Sequence, residues 1–368
     1  MLIFFMLKFL IATLLLPMSL FASECPWLGK DARVLLSFDL DKSSEKTLSK
    51  TQVLQDLDCL KIILKNKYSA IDYFRNIDLL ERIDRAKKSS ESSSTTGLLR
   101  IIGEIHEGIT DAHLSYSVYG GENLRLFTPK NNPVELKQDF PEEAIIENDK
   151  YTYFRPGFLD SSLSEGKEAF INYIDNNVKN LVIDLRGNGG GDDELAKQLV
   201  ESLFTINEHV PSTEKIQIDS LFREAGFCIS LTLHEYCSAA DYCKDVEAKL
   251  AGKKISDVIP FTLSRYSQKF EGKRQAKFKS KIVLLIDSGC ASSCETIVEK
   301  LSAHPNAILV GQNTMGALHF SNAVTFMLPN SGIITKVPTL FHKYEFDAVE
   351  GEGYPPSIRL DYIDLEVF

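Results

Sequence analysis

Two segments carry residue types that could perform covalent chemistry. One is the glycine-dense turn Asp184-Leu185-Arg186-Gly187-Asn188-Gly189-Gly190-Gly191. The other, Ser288-Gly289-Cys290-Ala291-Ser292-Ser293-Cys294-Glu295, sets three serines among small residues. Consecutive glycines cost backbone entropy, which is tolerable where amide N–H groups must face a ligand, and such a nest can hold an oxyanion. A serine at a strand-to-helix turn is exposed, and the positive end of the helix stabilises developing negative charge. Together the segments read as two halves of a serine nucleophile site. Ser288, Ser292 and Ser293 compete for the role. The bland alternative makes Ser292 a helix cap, with Glu295 closing a capping box. A dinucleotide-binding reading fails because the spacing is not Gly-x-Gly-x-x-Gly followed by an acid.

The elements that deliver these loops are short β-branched runs, Leu181-Val182-Ile183 and Ile282-Val283-Leu284-Leu285-Ile286, each leading through a turn into helix-forming sequence. Buried parallel strands of an α/β sheet read this way and bring their loops to one edge. The expected helices run from Asp192 to Phe204, with Asp192-Asp193-Glu194 at the positive end, and from Ser292 to Ala303. A third strand, Ala307 to Gly311, ends in the loop Gln312 to His319, and antiparallel strands Val324 to Leu328 and Ile333 to Val337 follow. From Thr47 to Leu114 apolar residues recur at spacings of three and four (Leu54, Leu57, Leu60, Ile63; Leu79, Ile83; Leu98, Leu99, Ile102), which predicts three or four helices. Ser89 to Thr96 reads as a polar linker between them. Residues 115–180 read as short strands broken by Pro129, Pro133, Pro141 and Pro156, with an amphipathic helix over Ser162 to Asn177. Residues 205–280 read as an insertion with one or two helices.

The chain has 368 residues, 44% apolar and 25% charged, with a formal net charge of −10. This is the composition of a soluble globular protein, and scattered cations on an acidic chain argue against nucleic acid as a partner. Met1 to Ala22 reads as a secretory signal peptide cleaved near Ala22 or Ser23. Its apolar core is short for a membrane span, and Glu24 before Cys25 disfavours a lipid anchor, so periplasmic or secreted localisation without stable membrane insertion is expected. The seven cysteines are Cys25, Cys59, Cys228, Cys237, Cys243, Cys290 and Cys294. In an oxidising compartment some should pair, and an odd number leaves one over. Cys228, Cys237 and Cys243 are close enough for one local bridge, whereas Cys290 and Cys294 read as small buried helix residues. Irregular Cys spacing, with His234 the only nearby imidazole, predicts no metal, and no cofactor is expected.

On these residues the chain resembles the S41 serine peptidases, which include the C-terminal processing proteases, the tricorn core and retinoid-binding-protein-like modules. The glycine segment is similar to Asp-x-Arg-x-Asn-x-Gly-Gly, and the serine segment to Ser-x-x-Ala-Ser-Ala-x-Glu. Val310-Gly311-Gln312-Asn313-Thr314-Met315-Gly316 is similar to Val-Gly-Glu-x-Thr-x-Gly. The tail Glu350-Gly351-Glu352-Gly353-Tyr354-Pro355-Pro356-Ser357-Ile358 is similar to Glu-Gly-x-Gly-Val-x-Pro-Asp-Ile.

The resemblance implies an α/β fold: a ClpP/crotonase-like core with a mixed sheet over residues 115–368, plus an N-terminal helical subdomain over 23–114. It implies Ser292 as nucleophile and the backbone N–H groups of Ser293 and Gly190 as oxyanion hole. The processing proteases carry a lysine base where this chain has Ala317, so a Ser–Lys dyad is not expected. Asp111-Ala112-His113-Leu114 resembles the Asp-x-His-Thr of the tricorn-like branch, which implies His113 as general base and activity falling below about pH 6.5. Glu350 is the implied orienting residue. His319 is a rival base, and His106, one turn from His113, is expected at the surface. The interval 115–160 is too short for the PDZ domain of the processing proteases. The implied function is a serine peptidase acting on peptide or protein substrates. The alternatives are a catalytically silent module binding a peptide or apolar ligand, or a hydrolase of non-peptide esters. The oligomeric state is not readable.

Overall fold

Helix starts in the N-terminal part are written in capping residues. Ser49 Oγ accepts from Gln52 N–H while the Gln52 side chain accepts from Ser49 N–H, a capping box opening α1 (Lys50–Lys67). Asp78 caps α2 (Leu79–Ser89), and Ser94 caps α3 (Thr95–Ile105). Ser94 also belongs to strand β2 (Ser93–Ser94), which pairs antiparallel with β1 (Thr47–Leu48). Part of the expected polar linker is therefore strand and cap. The Cys25–Cys59 disulfide ties the first described residues to α1.

The structure is a computed structural model. It describes residues 25–36, 45–74, 77–118, 123–125, 144–156, 179–191, 193–206, 210–216, 220–233, 239–258, 265–270, 274–276, 278–302, 304–343 and 350–360. The signal peptide read in Met1 to Ala22, the helix read over Ser162 to Asn177, the breakers Pro129, Pro133 and Pro141, and Cys237 and His234 lie outside these residues.

After α3 come strands β3 (Ser115–Ser117), β4 (Asn123–Arg125), β5 (Ala144–Glu147), β6 (Tyr151–Arg155) and β7 (Asn180–Asp184), then α4 (Asp193–Leu203). Next follow β8 (Phe204–Ile206), β9 (Val210–Ile216), α5 (Ser220–Leu233), α6 (Ala239–Leu250) and α7 (Ile255–Val258). The chain continues through β10 (Arg265–Phe270), β11 (Arg274–Ala276), β12 (Ile282–Ile286), α8 (Ser293–Ser302) and β13 (Ala307–Gly311). It closes with β14 (Phe320–Met327), β15 (Ile334–Lys343) and β16 (Ile358–Arg359).

The fold is α/β with a mixed sheet. Six strands run in the order β16-β13-β12-β7-β6-β5, all neighbours parallel except the antiparallel β5–β6 pair. The β-branched runs stand at its centre, with Leu284 registered against Ile183 and Leu309. On one face Leu181, Ile183, Ile282 and Leu284 join a core with Leu199 and Val200 of α4 and Ile297, Val298 and Leu301 of α8. On the other face lie Tyr153, Val182, Leu285 and Val310. Burial of each such aliphatic chain stabilises by about 1.5–3 kcal/mol. This layering holds β7 and β12 side by side, so their C-terminal loops must meet.

A second sheet has the order β10-β9-β15-β3-β4, with β14 along the other edge of β15. Here residues 205–280 differ from the expected helical insertion. β9 and β10 extend this sheet, and α5 lies so close to β14 that a Cβ at Gly226 would sit 2.9 Å from Val324 Cγ1. The Cys228–Cys243 disulfide joins α5 to α6. The N-terminal helices share one hydrophobic core with β14 and β15. Asp56 of α1 reinforces that junction by accepting from the backbone N–H groups of Asn330 and Ser331. Among the described residues no helix is long and apolar enough to cross a membrane.

Candidate active site

The serine loop is tied to the glycine loop before any side chain meets a substrate. Asp287, just beyond β12, accepts through Oδ1 from Gly187 N–H and Gly289 N–H, both at 2.9 Å. Ala291 N–H donates to Asn188 O at 3.0 Å. The chain then turns sharply at Ser292, which has φ +56°. For a non-glycine residue that left-handed conformation costs about 1–2 kcal/mol and persists only where the surroundings over-determine it. Ser292 N–H donates to Glu295 Oε2 at 3.1 Å, the half of the capping box that was expected. The Ser292 hydroxyl does not cap. Its Oγ lies 3.1 Å from Nε2 of His113. Of the competing serines, Ser293 Oγ donates to Gly191 O at 2.9 Å, and Ser288, 1% exposed, buries its Oγ without a hydrogen-bond partner among the described residues.

The glycine loop comes so near the serine that Gly190, at φ +93°, cannot bear a side chain. A Cβ there would stand 2.5 Å from Ala291 O and 2.8 Å from Ser293 N. Ser293 N–H has no hydrogen-bond acceptor among the described residues. Gly190 N–H, expected to be free for an oxyanion, instead donates to Asn188 Oδ1 at 2.9 Å. Asp184 and Arg186 work underneath. Arg186, 2% exposed, donates from Nε and Nη2 to the two Asp184 carboxylate oxygens at 2.8 and 2.7 Å, and Tyr153 Oη donates to the same carboxylate at 2.8 Å. Removing one partner of such a buried pair costs about 3–5 kcal/mol.

His113 comes from the turn between α3 and β3. Asp111 Oδ1 accepts from His113 N–H at 2.8 Å and Leu114 N–H at 3.1 Å, fixing the turn that aims the ring. Burial pushes the His113 pKa from its ordinary 6.5 down to about 4, against the opposing pull of the Asp193 charge. The ring is thus neutral at pH 7, and the expected midpoint near 6.5 is displaced by desolvation. Its Nδ1 is buried without a hydrogen-bond partner among the described residues. Base chemistry at Nε2 requires the tautomer with its proton on Nδ1.

His106 is not at the surface. It is 1% exposed, its Nδ1 donates to Ile102 O at 2.8 Å, and its Nε2 accepts from Tyr116 Oη at 2.9 Å. As the cap of α3 it points inward, where both ring nitrogens are satisfied. The rival His319 packs against the rings of Tyr73 and Phe341, and its Nδ1 donates to His342 O at 2.9 Å. It makes no hydrogen bond to Ser292.

The family model for peptidase family S41 matches residues 155–358, more than half of the chain. This chain belongs to peptidase family S41. Solved structures share the fold at low identity. A crystal structure of a putative peptidase from Parabacteroides merdae is 14% identical with a TM-score of 0.52, over 85% of this chain and 90% of that one. Mature CPAF is 14% identical with a TM-score of 0.52, over 84% of this chain and 93% of that one. A complex of mature CPAF with lactacystin aligns with the same identity and TM-score over 94% of its chain. No curated protein matches the chain. Membership of the family implies a peptidase.

In this S41 peptidase three buried acids stand behind the serine. Glu295 accepts from Thr314 Oγ1 at 2.6 Å, Gly316 N–H and Ala317 N–H at 2.8 Å, and Ser292 N–H at 3.1 Å, while burial raises its pKa to about 7. It binds the serine elbow to the loop after β13. Ala317 lines the cleft. The orienting contact expected from Glu350 is not made. Its Oε2 accepts from Leu318 N–H and His319 N–H at 2.9 and 2.7 Å, and its Oε1 is buried without a hydrogen bond among the described residues. Burial, with Asp111 nearby, pushes the Glu350 carboxyl well above the ordinary range, and Asp111 is raised to about 7 for the same first cause.

A cleft of about 350 Å³ opens over Ser292 and His113. Thr296, Asn322 and His342 on its walls carry no motif and were not legible in the sequence. Thr296 Oγ1 donates to Asp193 Oδ1 at 2.8 Å, joining α8 to α4. Among the described residues no group of His, Cys, Asp or Glu could hold a metal. Cys290 and Cys294, expected as small buried helix residues, are joined by a disulfide that spans Ser292.

Proposed function

We propose that this S41 peptidase is a serine hydrolase cleaving peptide bonds through an acyl-enzyme on Ser292, with His113 as general base. The single observation that carries the reading is the 3.1 Å separation of Ser292 Oγ and His113 Nε2. His113 Nε2 takes the hydroxyl proton as Oγ attacks the scissile carbonyl. The oxyanion that forms is held by Ser293 N–H, by the N-terminus of α8, and by Gly190 N–H once it exchanges Asn188 Oδ1 for the substrate. Each such donor stabilises the transition state by about 2.7–4 kcal/mol. His113 then protonates the leaving amine, and water, deprotonated by the same nitrogen, releases the acyl group. Glu350 serves as a positioning residue through the Leu318–His319 loop. Three disulfides, with the leader read in Met1 to Ala22, support export into an oxidising compartment.

The test is proteolysis of a casein substrate by wild type and Ser292→Ala. Loss of about 10³-fold or more is expected, and unchanged proteolysis sinks the assignment. Lactacystin, held by CPAF in its complex, is a second probe for the same serine. A silent binding module is the other reading, favoured by the engaged Gly190 amide. It requires that neither casein nor a fluorophosphonate react with the wild-type protein.

A further inference from the structure

The Cys290–Cys294 disulfide encloses five residues with Ser292 at their centre. Both half-cystines are fully buried. We infer that this bridge is a positioning element of the catalytic serine, so that Ser292 becomes fully reactive only after Cys290 and Cys294 have been oxidised to the disulfide. The inference rests on the assignment of Ser292 above.

The two ends of the bridged loop are held unequally. Cys290 is anchored on both sides of its peptide, its N–H donating to Asp287 O at 3.0 Å and its carbonyl accepting from Met315 N–H at 2.9 Å. Cys294 belongs to the first turn of α8, where backbone N–H groups lack intrahelical acceptors, and its N–H donates to Ala291 O at 3.1 Å, inside the same loop. Between them Ser292 occupies a left-handed conformation that the chain would otherwise leave. Relaxation of that φ moves Cys294 relative to Cys290, and the covalent bridge forbids it, with the Cα atoms held 5.5 Å apart. The bridge also reaches the other half of the site. Cys294 Sγ, which in the oxidised form has no proton to donate, packs 3.7 Å from Leu185 O, at the root of the glycine loop. The bridge thus sets the spacing between Ser293 N–H and Gly190. The other two disulfides join scaffold elements, Cys25 to α1 and α5 to α6, and none of their cysteines lines the cleft.

The oxidation balances as thiol–disulfide exchange with an external disulfide oxidant. One cysteine thiolate attacks a sulfur of the oxidant and expels a thiolate, and the second displaces the oxidant from the mixed disulfide. Two electrons pass to the oxidant, which leaves as two thiols carrying the two protons. Because neither sulfur is accessible in the folded protein, this exchange precedes the final packing of the elbow. A chain that folds with Cys290 and Cys294 as thiols is therefore folded but poorly reactive, which couples activity to an oxidising compartment.

The test compares Cys290→Ala/Cys294→Ala with the control Cys228→Ala/Cys243→Ala in the full chain. The first readout is the saturation kinetics of fluorophosphonate labelling. Cross-link loss at the elbow is expected to lower the maximal labelling rate by about tenfold or more while half-saturation moves by less than about threefold, since misplacing a reacting atom by about 1 Å can cost about 10²-fold. The control is expected to label within about twofold of wild type. Cys290→Ala/Cys294→Val, which restores the lost volume, replaces the double alanine should that variant not fold. The second readout, amide hydrogen exchange over Ser292–Glu295, is independent of catalysis. Faster exchange there than in wild type is expected, and it still reads the bridge if the wild-type protein proves unreactive and the hydrolase reading fails. Wild-type labelling together with wild-type exchange in the elbow variant overturns the inference.

Discussion

The two walls of the cleft are built differently. On the nucleophile wall, Ser292 sits within a mesh of short-range constraints. Asp287 holds both loops, Glu295 receives four donors, Gly190 touches the elbow backbone, and a disulfide closes around the serine. On the base wall, His113 is aimed by one turn through Asp111 and reaches the serine through one hydrogen bond. Its other ring nitrogen has no partner among the described residues, and the acids behind it are raised toward neutrality by burial. Strain at the nucleophile needs a rigid frame, whereas a base that takes and returns a proton must change charge, which burial of the ring opposes. The contrast predicts geometric sensitivity on one wall and pH sensitivity on the other.

The largest effect should come from crowding the rigid wall. Gly190→Ala sets a Cβ against Ala291 O and Ser293 N. It should lower kcat/KM by about 10²-fold or more and cost about 1–3 kcal/mol of stability at a left-handed position, measured by peptide hydrolysis and denaturant unfolding. Wild-type activity in Gly190→Ala would mean that the glycine loop is not part of the machinery.

On the other wall the pH profile is diagnostic. The folded His113 pKa of about 4 lies below the usual 6.5, so the acid limb of kcat/KM should fall nearer pH 4 than 6.5. Between those values the unfolded chain binds the extra proton. The stability contributed by neutral His113 is therefore present above about pH 6.5 and is lost as pH drops toward 4. Asp193 favours the charged ring, so Asp193→Asn should move the limb lower still. A limb that rises in Asp193→Asn contradicts this electrostatic account.

The smallest effect is expected at Glu350. Burial raises its carboxyl well above the ordinary range and so favours the protonated form, which glutamine imitates. Glu350→Gln should change kcat/KM at pH 7 by less than about tenfold. Because the folded pKa is raised, native Glu350 loses stability as pH climbs above about 4.5. The variant should therefore melt higher than wild type at pH 8 and alike at pH 4. A loss approaching that of a removed base would show instead an ionised carboxylate acting on the ring.

The same contrast explains what could be read from the sequence. Strand, turn, small residues and helix are local signals, so the serine loop and the glycine loop were legible with their supporting sheet, while the choice of Ser292 and Gly190 within them came from the resemblance. The partner of the serine was legible only through the resemblance of Asp111-Ala112-His113, because no local periodicity tells which histidine crosses to another layer. His106 was misread for the same reason: its burial depends on Tyr116, which lies in a different element. Residues 205–280 concealed β9 and β10, because β9 pairs with β15, far away in the chain, and β10 reaches the sheet only through β9. The Cys290–Cys294 bridge was missed because an i, i+4 pair beside a helix start looks like ordinary small-residue packing.

The central claim is that Ser292 is activated by His113, and the direct measurement is fluorophosphonate labelling followed by peptide mapping in wild type, His113→Gln and His319→Gln. The account predicts a single adduct on Ser292, slowed by about 10²-fold or more in His113→Gln and by less than about tenfold in His319→Gln. An adduct on Ser288 or Ser293, or slowing that follows His319 instead of His113, would contradict it.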